Sequence, residues 1–268
     1  MDFETLSFLR LTTVLGVLGL LLAVESWTPF RASIRSRLRH IATNLTIAGS
    51  NAAVLNLLFS GMLVLVSRQT EGWGMLHHLG LSPLTNVAAS VVLLDVTFYG
   101  FHWANHIIPF LWRFHRAHHS DLDLDVTTAF RFHLGEVLIS TLVKAVAIVL
   151  LGIPVIGLLT FETLLVAAAE FQHSNLLLPE PIDKRLRLFI ITPHMHWIHH
   201  SQLSVHHNSN FGTIFSGWDR LFRTYSLPVR QEDVRIGLER YSVPEQVGLR
   251  RFYAMPFESG CETPPMRT

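Results

Sequence analysis

Five apolar segments constrain this chain more than any other feature, because each comes near the ~20 residues that a helix needs to cross ~30 Å of hydrocarbon. They run from about Leu11 to Trp27, Leu45 to Val66, Leu84 to Phe101, Glu136 to Leu151 and Val155 to Phe171, the last two joined by a Gly152-Ile153-Pro154 turn. Composition agrees: 49% of the 268 residues are hydrophobic and 15% charged, and the mean hydropathy is +0.35. These values exclude disorder, collagen and a coiled coil and point to the membrane. A formal net charge of +1 supplies no field for nucleic acid. The single cysteine, Cys261, excludes an intrachain disulfide framework, a zinc ribbon and a self-contained iron–sulfur cluster. Ahead of the first segment stands only Arg10, and no A-x-A-like site follows it, so it reads as a retained anchor rather than a cleaved signal peptide.

Basic residues set the expected orientation. The loop carrying Arg31, Arg35, Arg37 and Arg39 is basic, whereas the loop from Ser67 to Pro83 carries Arg68 and Glu71. By the positive-inside rule the first is cytoplasmic and the second is not. The third span then returns to the cytoplasm near His102, and the segments 102–133 and 173–207 share that face. The polar tail from Pro179 holds 11 of the 21 Lys and Arg residues, in agreement. Lys144 and Glu162 each lie nine residues from Ile153, at similar depth on antiparallel helices, and a lone charge in lipid is costly, so they are expected to pair. The expected organisation is an N-terminal anchor over 1–83, a catalytic domain over 84–225 and a cytoplasmic tail over 226–268.

Histidine is the anomaly: 13 of the 16 lie between His102 and His207. His102 and His106 are spaced i, i+4. His115, His118 and His119 are spaced i, i+3, i+4, and His196, His199 and His200 repeat that pattern. On a helix these offsets share a face. Eight imidazoles exceed what one ion can use, which points to two metals. Asp95 and Tyr99 continue the stripe of His102 and His106 into the third span, where a carboxylate or phenol can orient a ligating ring. His133 and His173 stand at the ends of the hairpin helices, where the site must be, and are taken as ligands. His40, His77 and His78 read as ordinary interfacial residues, His194, His206 and His207 as the mouth of the site, and Trp103, Trp112 and Trp197 as interface anchors. Asp121, Asp123 and Asp125 read as a solvated acidic loop. The fold class is therefore all-α, a bundle of about four to five transmembrane helices with a cytoplasmic helical cap carrying a His-rich di-metal site.

Phe98-Tyr-Gly-Phe-His102-Trp-Ala-Asn-His106, Leu111-Trp-Arg-Phe-His115-Arg-Ala-His118-His119-Ser120, Thr128-Ala-Phe-Arg-Phe-His133 and Thr192-Pro-His-Met-His196-Trp-Ile-His199-His200-Ser201 resemble the fatty acid hydroxylase and sterol desaturase superfamily. Asn210-Phe-Gly212 and Trp218-Asp-Arg-Leu-Phe222 resemble its closing motifs. The resemblance covers about Asp95 to Tyr225. It implies an integral-membrane enzyme with a histidine-ligated pair of irons that uses O2 to hydroxylate or desaturate a lipid. Its ligands fall on His102, His106, His115, His118, His119, His133, His173, His196, His199 and His200. Asp95, Tyr99 and Asn210 are assigned to the reaction. The chain departs from the family pattern at Leu134, Asn208 and Arg223, none of which is a ligand.

An unactivated C–H bond is beyond acid–base side chains, so the work falls to the metal centre. The chain has no G-x-G-x-x-G motif and no cysteine set, which implies an external electron donor of ferredoxin or cytochrome type. Lys184, Arg185 and Arg187 suit anionic headgroups or an acidic donor. Imidazole sites also accept zinc. The expected substrate is a sterol, hopanoid, carotenoid or fatty acyl chain, and the expected location is a bacterial cytoplasmic membrane, with the site on the cytoplasmic face. Two other classes fit a histidine-rich membrane protein. A divalent-metal transporter would want polar ligands near the bilayer midplane, and a haem carrier would want isolated axial pairs.

Overall fold

A computed structural model of the chain describes residues 3–34, 36–59, 61–70 and 72–259, so Arg35, Glu71 and Cys261 lie outside the described residues. The helices up to His173 are α1 (Phe3–Trp27), α2 (Arg37–Phe59), α3 (Met62–Gln69), α4 (Met75–His78), α5 (Pro83–Ile107), α6 (Pro109–His119), α7 (Leu134–Leu151) and α8 (Val155–His173), with α4 only a single turn. Short helices follow: α9 (Glu180–Leu186), α10 (Pro193–His199), α11 (Ser204–His207), α12 (Gly217–Leu221) and α13 (Leu249–Ala254). Among the described residues the only β pairing is isolated bridges such as Ile190 with Phe215. Five helices, α1, α2, α5, α7 and α8, are long and apolar enough to cross a membrane. Helices satisfy every backbone group internally, as hydrocarbon requires. α1 leaves Phe8, Leu11, Leu15 and Leu20 exposed while it packs along α8.

The second apolar segment differs from the expectation. It is broken by Gly61, whose φ of 69° is a left-handed conformation that side chains disfavour. α2 starts earlier, at Arg37, and buries His40, Asn44 and Asn51. α3 packs on the α7–α8 hairpin instead, and Ser67 Oγ donates to the Ile153 carbonyl at 2.7 Å.

The hairpin turns at Gly152, with φ 72°, where a Cβ would collide with the Trp73 carbonyl. Lys144 Nζ and Glu162 Oε1 pair at 2.7 Å as expected, and Arg10 joins them at 2.9 Å from Glu162 Oε2. Leu94, Phe98, Ile148, Leu158 and Phe161 fill the space between α5, α7 and α8. A second core, including Ile47, Ala117, Val247, Phe252 and Met255, fastens the segment after α12 onto α2 and α6. Arg116 Nη2 donates to the Met255 carbonyl, and Arg131 Nη2 to that of Val247 at 2.9 Å.

One junction positions the site. Ile108 precedes Pro109 and adopts φ −95°, ψ 114°, the extended geometry that a following proline favours. α5 therefore stops and α6 starts with Pro109 at its first position, where the missing N–H costs nothing. The chain turns within one residue, and the histidines at the end of α5 face those of α6.

Candidate metal centre

Nine histidines converge in two groups whose candidate ligand atoms lie within 4.8 Å of one another. His102, His106, His115, His119 and His199 form the first, and His118, His173, His196 and His200 the second. α5 and α6 supply most of the first, and α8, α10 and the residue that follows α10 supply three of the four in the second. The i, i+3, i+4 spacing does not send a whole box to one group. On α6 His115 and His119 turn to the first group and His118 to the second, and on α10 His199 serves the first and His196 the second.

The tautomers show what these nitrogens can do. Nδ1–H donates to a carbonyl in His102 (Phe211, 2.9 Å), His118 (Arg131, 3.2 Å), His173 (Ala169, 2.7 Å) and His199 (Ser209, 2.8 Å). That of His115 donates to Glu136 Oε1 at 2.8 Å. A neutral ring with Nδ1 protonated has a bare lone pair on Nε2. Yet Nε2 of His118 and Nε2 of His173 lie 3.2 Å apart, with no hydrogen available between them. His196 Nε2 is 2.9 Å from His173 Nε2, and His119 Nε2 is 3.2 Å from His115 Nε2. Nitrogens bound at ~2.1 Å to one ion stand about 3.0 to 3.4 Å apart. The spacing fits a metal.

Burial adds to this. His118, His119, His196, His199 and His200 are held well below the usual histidine pKa, first by burial and then by their neighbours' charge. Neutral imidazole is the ligating form, so the fold keeps the set ready for a cation.

His133, the tenth ligand expected from sequence, stands outside both groups. It caps α7 instead: Nδ1 accepts from Gly135 N at 3.0 Å, and Nε2 donates to the Tyr253 carbonyl at 3.4 Å. Both nitrogens are thus occupied. His207, assigned to the mouth, is buried against the first group, with ring centroids 6.0 Å from His106 and from His119. Burial pushes it down to about 4 against its hydrogen bond to the Ser201 carbonyl.

Asp95, Tyr99 and Asn210 touch no ligating nitrogen in these hydrogen bonds. Asp95 accepts from Thr213 Oγ1 (2.6 Å), Ile214 N (3.0 Å), Phe215 N (3.1 Å) and Trp218 Nε1 (2.7 Å). Tyr99 bonds Thr224 Oγ1 at 2.8 Å and stacks on Phe222. Asn210, at φ 56°, donates to the Met195 and Ser226 carbonyls. All three tie the 210–226 segment to α5 and α10, and Phe211 in that segment packs on His102, His106 and His199.

Three further expectations are corrected. His40 is fully buried, with Nδ1 2.9 Å from Asp125 Oδ2 and Nε2 2.8 Å from Asp121 Oδ2. Asp121, Asp123 and Asp125 are accordingly buried rather than solvated. Burial works upward on Asp125, but the hydrogen bond and charge of His40 outweigh it and hold that carboxyl below its usual range. Trp112 and Trp197 are buried, and only Trp103 keeps an exposed face. Trp197 Nε1 donates to the Ser174 carbonyl at 3.2 Å.

A cavity of about 310 Å³ opens between α5, α7 and α8 and closes on His102, His115, His118, His173 and His196. Its walls include Phe98, Phe101, Phe132, Val137, Leu165 and Val166. Sequence reasoning missed Glu136, Asn105 and Gln172, which also line it. The one available signal was an acidic residue in the first turn of an otherwise apolar helix.

Residues 87–224 match the sequence profile of the family described as Fatty acid hydroxylase, just over half of the chain. Ornithine lipid hydroxylase OlsE of Rhizobium tropici is 30% identical over 155 residues, covering 57% of this chain and 45% of that protein. Cholesterol 25-hydroxylase of Homo sapiens is 26% identical over 160 residues (58% and 55%), and a cholesterol 25-hydroxylase-like protein of Danio rerio 26% over 160 (57% and 62%). The chain thus spans about half the length of the curated relatives it matches. No solved structure matches it. All nine converging histidines lie inside the matched stretch, and the chain belongs to the fatty acid hydroxylase family, within the sterol desaturase superfamily.

Proposed function

We propose that this protein is an O2-dependent, non-haem di-iron hydroxylase or desaturase of a membrane lipid. The observation that carries the reading is an apolar cavity between membrane-length helices that ends on two nitrogen-only ligand groups. Imidazole suits iron, zinc and copper, and the unprotonated nitrogens of His118 and His173 need a cation between them. When bound, two irons held by these nitrogens would supply the activation of O2 that oxidation of an unactivated C–H bond needs and that side chains lack.

The chain's own residues position. Backbone carbonyls fix the rings of His102, His118, His173 and His199, and Glu136 fixes that of His115, as outer partners of metal ligands commonly do. The Phe-lined cavity excludes water and holds the substrate against both groups. Asp95, Tyr99 and Asn210 act as positioning residues through the segment they anchor. The relatives' names specify ornithine lipid and cholesterol, which favours a lipid substrate and hydroxylation. Electrons come from an external ferredoxin or cytochrome, and the site faces the cytoplasm from a bacterial inner membrane.

The test is metal content and optical spectrum of the full chain in detergent, beside His118→Ala and His199→Ala, one from each group. About two irons per chain without a haem band, lowered in both variants, is the expected result. Haem, or reversible loading of a single divalent ion with no O2 consumption, would overturn it in favour of electron transfer or transport.

A further inference from the structure

The cavity is apolar along its walls, but at the histidine end three side chains present oxygen atoms that accept nothing. Glu136 Oε2, Asn105 Oδ1 and Gln172 Oε1 are buried and have no hydrogen-bond partner among the described residues, and all three residues line the cavity. Each side chain is more than nine-tenths buried, with 5%, 2% and 3% exposure respectively.

The assignment of oxygen rather than nitrogen at these positions is fixed by the partners on the other side. Asn105 Nδ2 donates to Glu136 Oε1 at 3.0 Å, and a carboxylate oxygen that also accepts from His115 can only accept. Gln172 Nε2 donates to the Thr213 carbonyl at 3.1 Å, which likewise can only accept. Turning either amide over would set oxygen against oxygen. Each free oxygen is therefore an acceptor, and a buried acceptor left unpaired is unfavourable.

The opposite end of the cavity has the reverse character. Glu136, Ser140 and Lys144 are four residues apart on α7 and share a face, so Lys144 stands about 12 Å further along the helix from Glu136. Its ammonium is paired with Glu162. Ser140 Oγ donates to the Val137 carbonyl. Neither supplies a donor to the three acceptors beside the histidines.

We propose that the cavity recognises a lipid by N–H or O–H donors on the group next to the carbon attacked, received by Glu136, Asn105 and Gln172, with the hydrocarbon lying against the Phe98–Leu165 walls. A plain alkyl chain would bury all three acceptors without a partner, so the site selects against it, as sites built to bond a polar group do. The inference rests on the lipid-oxidising reading and narrows its substrate to lipids modified near a donor-bearing headgroup or substituent.

The experiment measures binding to the full-length, metal-loaded protein in lipid nanodiscs by isothermal titration calorimetry, corrected with empty discs. Two matched pairs serve as probes: dodecylammonium against dodecyltrimethylammonium, and 1-dodecanol against dodecyl methyl ether. Within each pair alkyl chain length and charge are the same and methyl groups replace the donor hydrogens, so the variants below separate donor recognition from a preference for the smaller head. The donor-bearing member of at least one pair binds about tenfold tighter, the size of one charge-assisted hydrogen bond, and the pair that shows the preference separates an ammonium from a hydroxyl group. In Gln172→Met and in Asn105→Leu the preference shrinks toward about threefold or less. Equal binding within both pairs, or a preference unaltered in both variants, overturns the donor inference and leaves the lipid reading standing. Failure of all four probes to bind overturns both.

Discussion

His40 joins Asp121 and Asp125 from within α2: its Nε2 lies 2.8 Å from Asp121 Oδ2 and its Nδ1 2.9 Å from Asp125 Oδ2. The ring clamps the α6–α7 connection two residues after His119, and Arg131, which completes that connection, also donates to Asn44 Oδ1 at 3.2 Å. Removing the imidazole leaves two buried carboxylates facing each other. Breaking a buried pair from one side costs about 3–5 kcal/mol. His40→Gln is expected to lower the thermal midpoint and deplete metal from both groups, whereas His77→Gln, on an exposed residue, changes neither. A His40→Gln protein as stable as the parent would remove the clamp from the account.

Glu136 and His133 make a contrasting pair of variants. Glu136→Gln weakens the orientation of His115, and loss of such a partner lowers metal affinity about 10–100-fold. His133→Ala removes a helix cap worth about 1 kcal/mol and touches no group of ligands. Competitive chelator titration of the zinc-loaded protein should separate them, Glu136→Gln losing metal and His133→Ala holding its full complement. Loss of one metal in His133→Ala would restore it as a ligand.

The metal-free protein should be acid-sensitive. Unfolded imidazoles take up protons near 6.5, whereas His118, His119, His196, His199 and His200 resist well below that value because they are buried. Below 6.5 the unfolded state binds more protons, so stability falls with falling pH, by about 1.4 kcal/mol per unit for each such ring. Asp219 works the other way. Burial raises its carboxyl to about 6, so its contribution is present at low pH and lost as pH rises through 6. Each carboxyl raised in this way opposes one ring, and the lowered rings are the more numerous. Thermal midpoints of the chelator-stripped protein from pH 8 to 5 should drop steadily below 6.5, and a flat profile would contradict the burial argument.

Asp95 distinguishes positioning from ligation. Asp95→Asn replaces an acceptor of four bonds by a group that turns an NH2 toward two of the four donors, at about 1–3 kcal/mol for each acceptor lost. The metal content should persist while turnover of any accepted lipid falls, since the 210–226 segment that backs His102 and His199 loosens. Loss of metal in step with activity would mean that Asp95 acts on a ligand directly.

Much of this was legible in the sequence because it depends on period. Apolar runs of span length gave five membrane-length helices, and the i, i+4 pair with the two i, i+3, i+4 boxes gave eight of the nine converging histidines. His173 was found from its place at a hairpin end. The same reasoning failed for His133, which occupies an equivalent place, because position cannot show that a ring's lone pair is already accepting Gly135 N. It also could not show that one box divides between two ligand groups, since neighbours on a helix face diverge once a second layer packs against them. His40 and the three aspartates looked like surface residues because each is separated from its partner by some 80 positions, a distance that only the folded chain closes.

The one-residue turn at Ile108 carries a further implication. Having no loop, it gives the two imidazole sets on either side nothing to flex about, and it fixes them at the level where the long helices end. On the proposed reading, a lipid lying among those helices would meet the ligand groups at the height of its own leaflet boundary. It would then slide sideways into the cavity between α5, α7 and α8 without being lifted into water.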